Sequence, residues 1–317
     1  MPVAIVPPSN SGVWRDSKPY FMPSHYKDNI ESVLRRRGQE ITHRGKLRDT
    51  LVPIPPPDEH LPLRGERFRE CFGDAAFRKI ARRLTFAKGA AVPVADLVRM
   101  AGQRTDEFLS VLEECEVVVR ADDTVKLIRQ ADNIGPTLEC YVSDVCRREL
   151  AGSSEWGVVL EGLPAGGDFD VLAWLGGPLV YIECKSSRPA DIDVSELRAF
   201  LQRSQELSPE LTILLVDTES DLSSLMDRLT DATLPVMRKL SRRPDDWKPD
   251  RPWNKPSQAF PSVYYGWPGI HVVNSKPSII TQLRRCLQHY HAKVKGKSWI
   301  DGRPTRVNFV TGATDET

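Results

Sequence analysis

The stretch that most constrains this chain is GGDFDVLAWLGGPLVYIECKSS, from Gly166 to Ser187. Two apolar runs, DFDVLAWL and LVYIEC, are joined by Gly-Gly-Pro, which predicts a strand, a tight turn and a second strand. Alternation puts Tyr181, Glu183 and Lys185 on one face of the second strand and Val180, Ile182 and Cys184 on the other. In the first strand Asp168 and Asp170 share a face with Leu172 and Trp174, and hairpin pairing brings Asp170 close to Glu183 across the ladder. Two carboxylates and an ammonium at the end of so apolar a hairpin need a reason. Buried charges are costly unless they pair or hold a metal.

The rest of the chain sets the context. Its 317 residues suffice for a sizeable core and two domains with tails. A formal net charge of +1 gives no global argument for a nucleic-acid partner, so any binding surface must be a local patch. No apolar run approaches a membrane span, and MPVAIVPPSN lacks the features of a secretory signal. The six cysteines show no CxxC and no paired framework, which predicts reduced thiols in a cytoplasmic protein.

Residues 1–62 read as a proline-rich arm with one helix in YKDNIESVLRRRGQEI. Its closing run Arg35, Arg36, Arg37 is a solvated helix end, the sharper alternative being a phosphate-binding arm. Residues 63–131 give three helical segments and a hairpin around Asp122-Asp123-Thr124, an order that resembles a winged-helix domain. The third helix sets Asp106, Glu107, Glu113 and Glu114 against Arg104, a poor surface for phosphates, so a structural or protein-contact role is favoured over DNA reading. Residues 132–297 alternate helices and strands. LTILLVD is a fully buried parallel strand, and a Pro/Trp-rich insertion at 242–268 packs on the domain, with a base-stacking platform as the alternative. Residues 298–317 read as a flexible tail.

The order from Ile134 to His291 resembles the restriction-endonuclease-like PD-(D/E)XK nuclease fold, a mixed β-sheet flanked by helices. The residues carrying the resemblance are Asp170 in DFDVL and Glu183-Cys184-Lys185 in VYIECKS. Glu139, in the preceding helix, stands where many members carry a further acid. The hairpin is also similar to those of the Holliday-junction-resolvase-like and CRISPR-associated branches. The resemblance implies a Mg²⁺- or Mn²⁺-dependent phosphodiesterase. Asp170, Glu183 and the Cys184 carbonyl would be metal ligands, Glu139 would act directly or through water, and Lys185 would orient the attacking water, stabilise transition-state charge or, with a depressed pKa, assist proton removal. The expected partner is a nucleic acid, DNA favoured over RNA, with a protein partner at the winged-helix-like region and a homodimer left open. A catalytically inactive nuclease fold used for binding or assembly, and a winged-helix regulator, are the rival readings. Gln202, Arg203 and Gln205 on the next helix are read as solvent-exposed, with substrate contact as the alternative. His289 and His291, two apart on a helix, face different ways and make a poor metal pair.

Overall fold

The structure, a computed structural model, describes residues 29–53, 63–163, 168–241, 253–254, 256, 260, 262–266, 269–295, 297–300 and 303–306. Gly166, Gly167, Trp247, Trp267 and most of the expected insertion lie outside the described residues.

Asn29 starts α1 (Ile30–Arg36) by accepting the Ser32 N–H at 2.8 Å. At its end, Arg37 turns onto the Ser208 carbonyl at 3.2 Å and the Glu210 carboxylate, so this part of the basic run is a tether within the fold. β1 (Ile41–His43) then pairs with the edge of the main sheet, and Ile30 and Leu34 are buried beneath it. Within the expected arm, Ile30–Arg36 and Ile41–His43 are therefore part of the α/β layers. A three-residue strand is too short for alternation to announce it.

The run FRECFGDAAFRKIARRLTFAKG, residues 68–89, reads as one helical segment, but it is divided between two helices. α2 (Leu63–Phe72) and α3 (Ala75–Phe86) break at Gly73, where Asp74 caps α3 by accepting the Ala76 N–H at 2.7 Å. After β2 (Val92–Pro93) come α4 (Val94–Ala101), α5 (Thr105–Glu114) and the hairpin β3 (Val118–Ala121) with β4 (Thr124–Leu127), which β2 extends to three strands. The acids of α5 pair locally: Glu113 with Arg120 at 2.9 Å, Asp106 with Arg120 at 3.1 Å and Glu107 with Arg104 at 2.9 Å.

The main layers follow: α6 (Gly135–Arg148), β5 (Ser153–Leu160), β6 (Asp168–Trp174), β7 (Leu179–Lys185), α7 (Val194–Leu207), β8 (Leu211–Val216) and α8 (Ser223–Ser241). β9 (Trp253–Asn254), β10 (Val263–Gly266), β11 (Ile270–Asn274) and α9 (Ile279–Lys295) complete them. The eight-stranded sheet runs β1-β5-β6-β7-β8-β11-β10-β9. It is antiparallel from β1 to β7, parallel across β7-β8-β11, and antiparallel again to β9. All six residues of β8 are buried, as a central parallel strand requires. Within the expected tail, β12 (Lys297–Ile300) pairs with β13 (Arg303–Arg306).

This is a mixed α/β fold with helices on both faces. α6, α9 and the helical region from α2 to α5 share one apolar cluster with Val180, Ile182 and Cys184. α1, α7 and α8 cover the other face, around Tyr181, Phe169 and Leu214. Both clusters meet at β7, whose alternation is the one its sequence predicts.

Candidate active site

The β6–β7 ladder ends at Val171 opposite Ile182. One step further, where Asp170 faces Glu183, the Cys184 N–H turns to the Asp170 side chain and donates to Oδ2 at 2.7 Å. β7 stays paired with β8 through Lys185. The sheet thus opens between two strands while the outer partner remains in register. Alternation in β6 also fails here: Phe169 and Leu172 belong to one apolar cluster, Val171 and Ala173 to the other. Asp170 lies at this change of face and does not simply continue the Leu172–Trp174 row.

The cause lies in the neighbouring strand. Trp156 pairs with Val171 and Val158 with Phe169, which brackets Gly157 opposite Asp170. Gly157 has φ +55°, a left-handed conformation that favours glycine. Trp156 and Val158 consequently join opposite clusters. A Cβ on Gly157 would stand 2.9 Å from the Gly45 Cα and 3.9 Å from Glu139 Oε2. Gly45 in turn donates its N–H to the Trp156 carbonyl at 2.8 Å. The two glycines therefore let the backbones approach closely beside the open ladder, and Glu139 of α6 comes near from the side opposite α7.

Glu183 is 1% exposed and saturated with donors. Arg203 of α7 bonds both its oxygens, at 2.8 and 2.9 Å, Lys185 Nζ lies 3.2 Å from Oε1, and the Tyr181 hydroxyl donates to Oε2. The Arg203 Nε also donates to that hydroxyl at 2.9 Å. Arg203 is therefore a partly buried member of the cluster, which corrects the expectation of solvent exposure; Gln202 and Gln205 are the more outward pair, with Gln202 exposed and Gln205 exposed. Lys185 bridges Glu183 to Glu196 Oε2 at 2.8 Å. The other Glu196 oxygen serves the capping box that starts α7 at Asp193. Sequence reasoning misses Glu196, although Asp-x-x-Glu ahead of an apolar run is a legible capping signal.

Asp170 and Glu139 are in the opposite condition to Glu183. Burial, then the charges of Glu183 and Glu139, push the Asp170 carboxyl well above its ordinary range, against the pull of the Cys184 N–H and Lys185. Burial, then Glu183 and Asp168, push Glu139 up to about 7. Asp168 is exposed at the rim. Burial works against the Lys185 ammonium, but Glu183 and Glu196 outweigh it and hold its pKa above the ordinary value. In the metal-free protein Lys185 is thus held as a cation. The Cys184 thiol, buried on the α6 face, is also pushed well above its usual range by burial and then by the nearby acids.

Among the described residues, no three His, Cys, Asp or Glu side chains form a ready metal-ligand group. The donor chemistry nevertheless distinguishes the carboxylates. Glu183 already has two cations, whereas Asp170 and Glu139 have no ion-pair partner within salt-bridge distance among the described residues and repel one another. Hard oxygen donors short of positive charge fit a hard divalent cation. His289 does not pair with His291; it meets His271 of β11 at 2.8 Å, ring nitrogen to ring nitrogen, beside Tyr265 and Phe260. All six cysteines are buried and free. No helix among the described residues is long and apolar enough to cross a membrane.

No protein-family model matches the chain, and no curated protein matches it. Among solved structures, protein VC1899 from Vibrio cholerae is similar at 14% identity and a TM-score of 0.41, covering 68% of this chain and 62% of that one. Can2 from Sulfobacillus thermosulfidooxidans, solved with cyclic tetra-adenylate, is similar at 11% identity and a TM-score of 0.43, covering 84% of this chain and 60% of that one. The chain thus spans about three fifths of the length of each.

Proposed function

We propose that this chain is a metal-dependent phosphodiesterase acting on nucleic acid. The observation that carries the reading is the excess of buried negative charge at the open end of the β6–β7 ladder. There three carboxylates, Asp170, Glu139 and Glu183, meet two cations, Lys185 and Arg203, and Asp170 and Glu139 are driven toward protonation by burial and their own crowding. A Mg²⁺ or Mn²⁺ ion held by Asp170 and Glu139 would relieve that crowding. When bound it would supply Lewis-acid polarisation of a phosphoryl oxygen and a more acidic water.

The protein's own groups have distinct tasks in this reading. Lys185, kept charged by Glu183 and Glu196, serves as a fixed cation for charge growing on the phosphoryl oxygens. Arg203 and Tyr181 hold Glu183 rigid, and Glu183 holds Lys185. The Cys184 N–H fixes the Asp170 carboxylate, leaving Oδ1 for another partner. A second reading, a non-catalytic binding or assembly module, is favoured by the saturation of Glu183, which resembles a closed buried ion network.

Cleavage of labelled DNA and RNA separates the two. The expected result is cutting with Mg²⁺ or Mn²⁺, none with chelator, and loss of at least about a hundredfold in Asp170→Asn and Lys185→Ala. Equal inertness of wild type and both variants on single- and double-stranded substrates supports the binding module. Equal cutting by all three places the activity elsewhere.

A further inference from the structure

Lys79, Arg82 and Arg83 of α3, Arg99 of α4 and Arg188, three residues beyond Lys185, line a groove of about 760 Å³ around Phe86. Met100 is its one other lining residue among the described residues, and none of these is a carboxylate. Phe86 is 80% exposed, an aromatic face left open to solvent at the end of α3. Met100 and Val98 on α4 are also large apolar side chains left exposed. A ring placed so among cations, beside exposed Met100 and Val98, is unlike a scattered surface apolar residue.

The charge balance favours an anionic occupant. Arg83 and Arg99 share Asp96, and Arg82 shares Asp217 with the buried Arg78. Lys79 meets Glu219 and Arg188 meets Asp191, each at 2.7 Å. Cations thus outnumber the acids behind them. Exposed pairs of this kind contribute little, so a phosphate can take over the guanidinium at small cost.

A chain of hydrogen bonds links the groove to the strand that carries Lys185. Arg82 Nη2 lies 2.7 Å from Asp217 Oδ2, and the Asp217 N–H donates to the Lys185 carbonyl at 2.8 Å. We propose that the groove seats a single-stranded nucleic-acid segment flanking the scissile phosphate, with one base stacked on Phe86 and neighbouring phosphates on Arg83, Arg99 and Arg188. A duplex keeps its base faces stacked internally, whereas a single strand offers them to an open ring. The proposal rests on the nuclease reading in taking nucleic acid as the ligand.

The test is fluorescence anisotropy of a 5′-labelled oligothymidylate with the full chain in chelator, so that binding is read without cleavage. The expected result is binding that weakens about tenfold or more in Phe86→Ala and is restored in Phe86→Trp. Arg99→Glu with Arg188→Glu should weaken it further and flatten the salt dependence, by about 0.7 in log–log slope for each phosphate no longer neutralised. Unchanged affinity in Phe86→Ala, absence of binding, equal affinity for a duplex, or equally effective displacement by polyglutamate each overturns the proposal. Metal-dependent cleavage measured in parallel keeps the two readings apart. Cleavage that survives with no Phe86 effect removes the groove alone, and Phe86-dependent binding without cleavage removes the nuclease reading alone.

Discussion

Glu183 and Glu139 are the same residue type beside the same opening, yet their surroundings differ. Arg203, Lys185 and Tyr181 surround the Glu183 carboxyl with donors. Glu139 is buried among other acids, and its pKa rises to about 7. In metal-free protein this has a definite consequence for stability. The native state holds the Glu139 proton more tightly than the unfolded chain, whose pKa is near the ordinary value of 4.5. This contribution is full below that value, and stability falls as pH rises through the window from about 4.5 to about 7. The loss should be on the order of 2–3 kcal/mol. Urea titrations in chelator at pH 5 and pH 8 should show a larger fall in wild type than in Glu139→Gln, which keeps only the Asp170 share. A wild-type fall no larger than the variant's would mean that Glu139 is not crowded in this way.

At the scale of elements, the opening depends on how β5 and β6 change face. Gly157 turns left-handed, Gly45 closes against it, and Asp170 emerges where the pleat inverts. A Cβ on Gly45 would overlap the Trp156 ring. Gly45→Ala should therefore destabilise the fold by about 2 kcal/mol in denaturant titrations, since overpacked sites cost about 1–3 kcal/mol. Gly38→Ala is the contrast: space is open there, although its φ of +75° adds strain of its own. Equal stability of Gly45→Ala and wild type would mean that the close approach of Gly45 to Trp156 does not constrain the fold. That Asp170 and Glu183 come near one another was legible in the sequence because a tight turn fixes register; that Asp170 leaves the Leu172–Trp174 row was not, because period-2 alternation does not announce a change of face. Arg203 was not, because an amphipathic helix gives its buried face but not which long side chain at the border reaches inward. Gly157 and Gly45 carried no signal, since their partners come from distant segments.

At the scale of the whole molecule, the helical region and the sheet share one apolar cluster, so α2 to α5 are not insulated from the α/β layers. A buried polar joint reinforces the contact. Arg78 of α3, 1% exposed, bonds Asp217 at 2.8 Å just past β8 and donates to the Phe72 and Gly73 carbonyls at 2.8 and 2.9 Å. Tryptophan fluorescence and far-UV circular dichroism should report one coincident unfolding transition. Arg78→Ala, which takes a buried partner from the Asp217 charge, should lower stability by about 3 kcal/mol. Two separated transitions in wild type would show that the regions fold independently. The joint was invisible in the sequence, because a helix arginine reads as surface until its partner is known.

If the crowded carboxylates at the open ladder await a divalent cation, the chain must bind one without any substrate. Mn²⁺ titration of the full chain, followed by electron paramagnetic resonance of the free ion, reads this out. A bound ion is expected in wild type, lost in Asp170→Asn and weakened at least about tenfold in Glu139→Gln. Binding should also fall as pH drops below about 7, where Glu139 takes up its proton. Equal Mn²⁺ binding by wild type and Asp170→Asn, or none by either, would contradict the metal site.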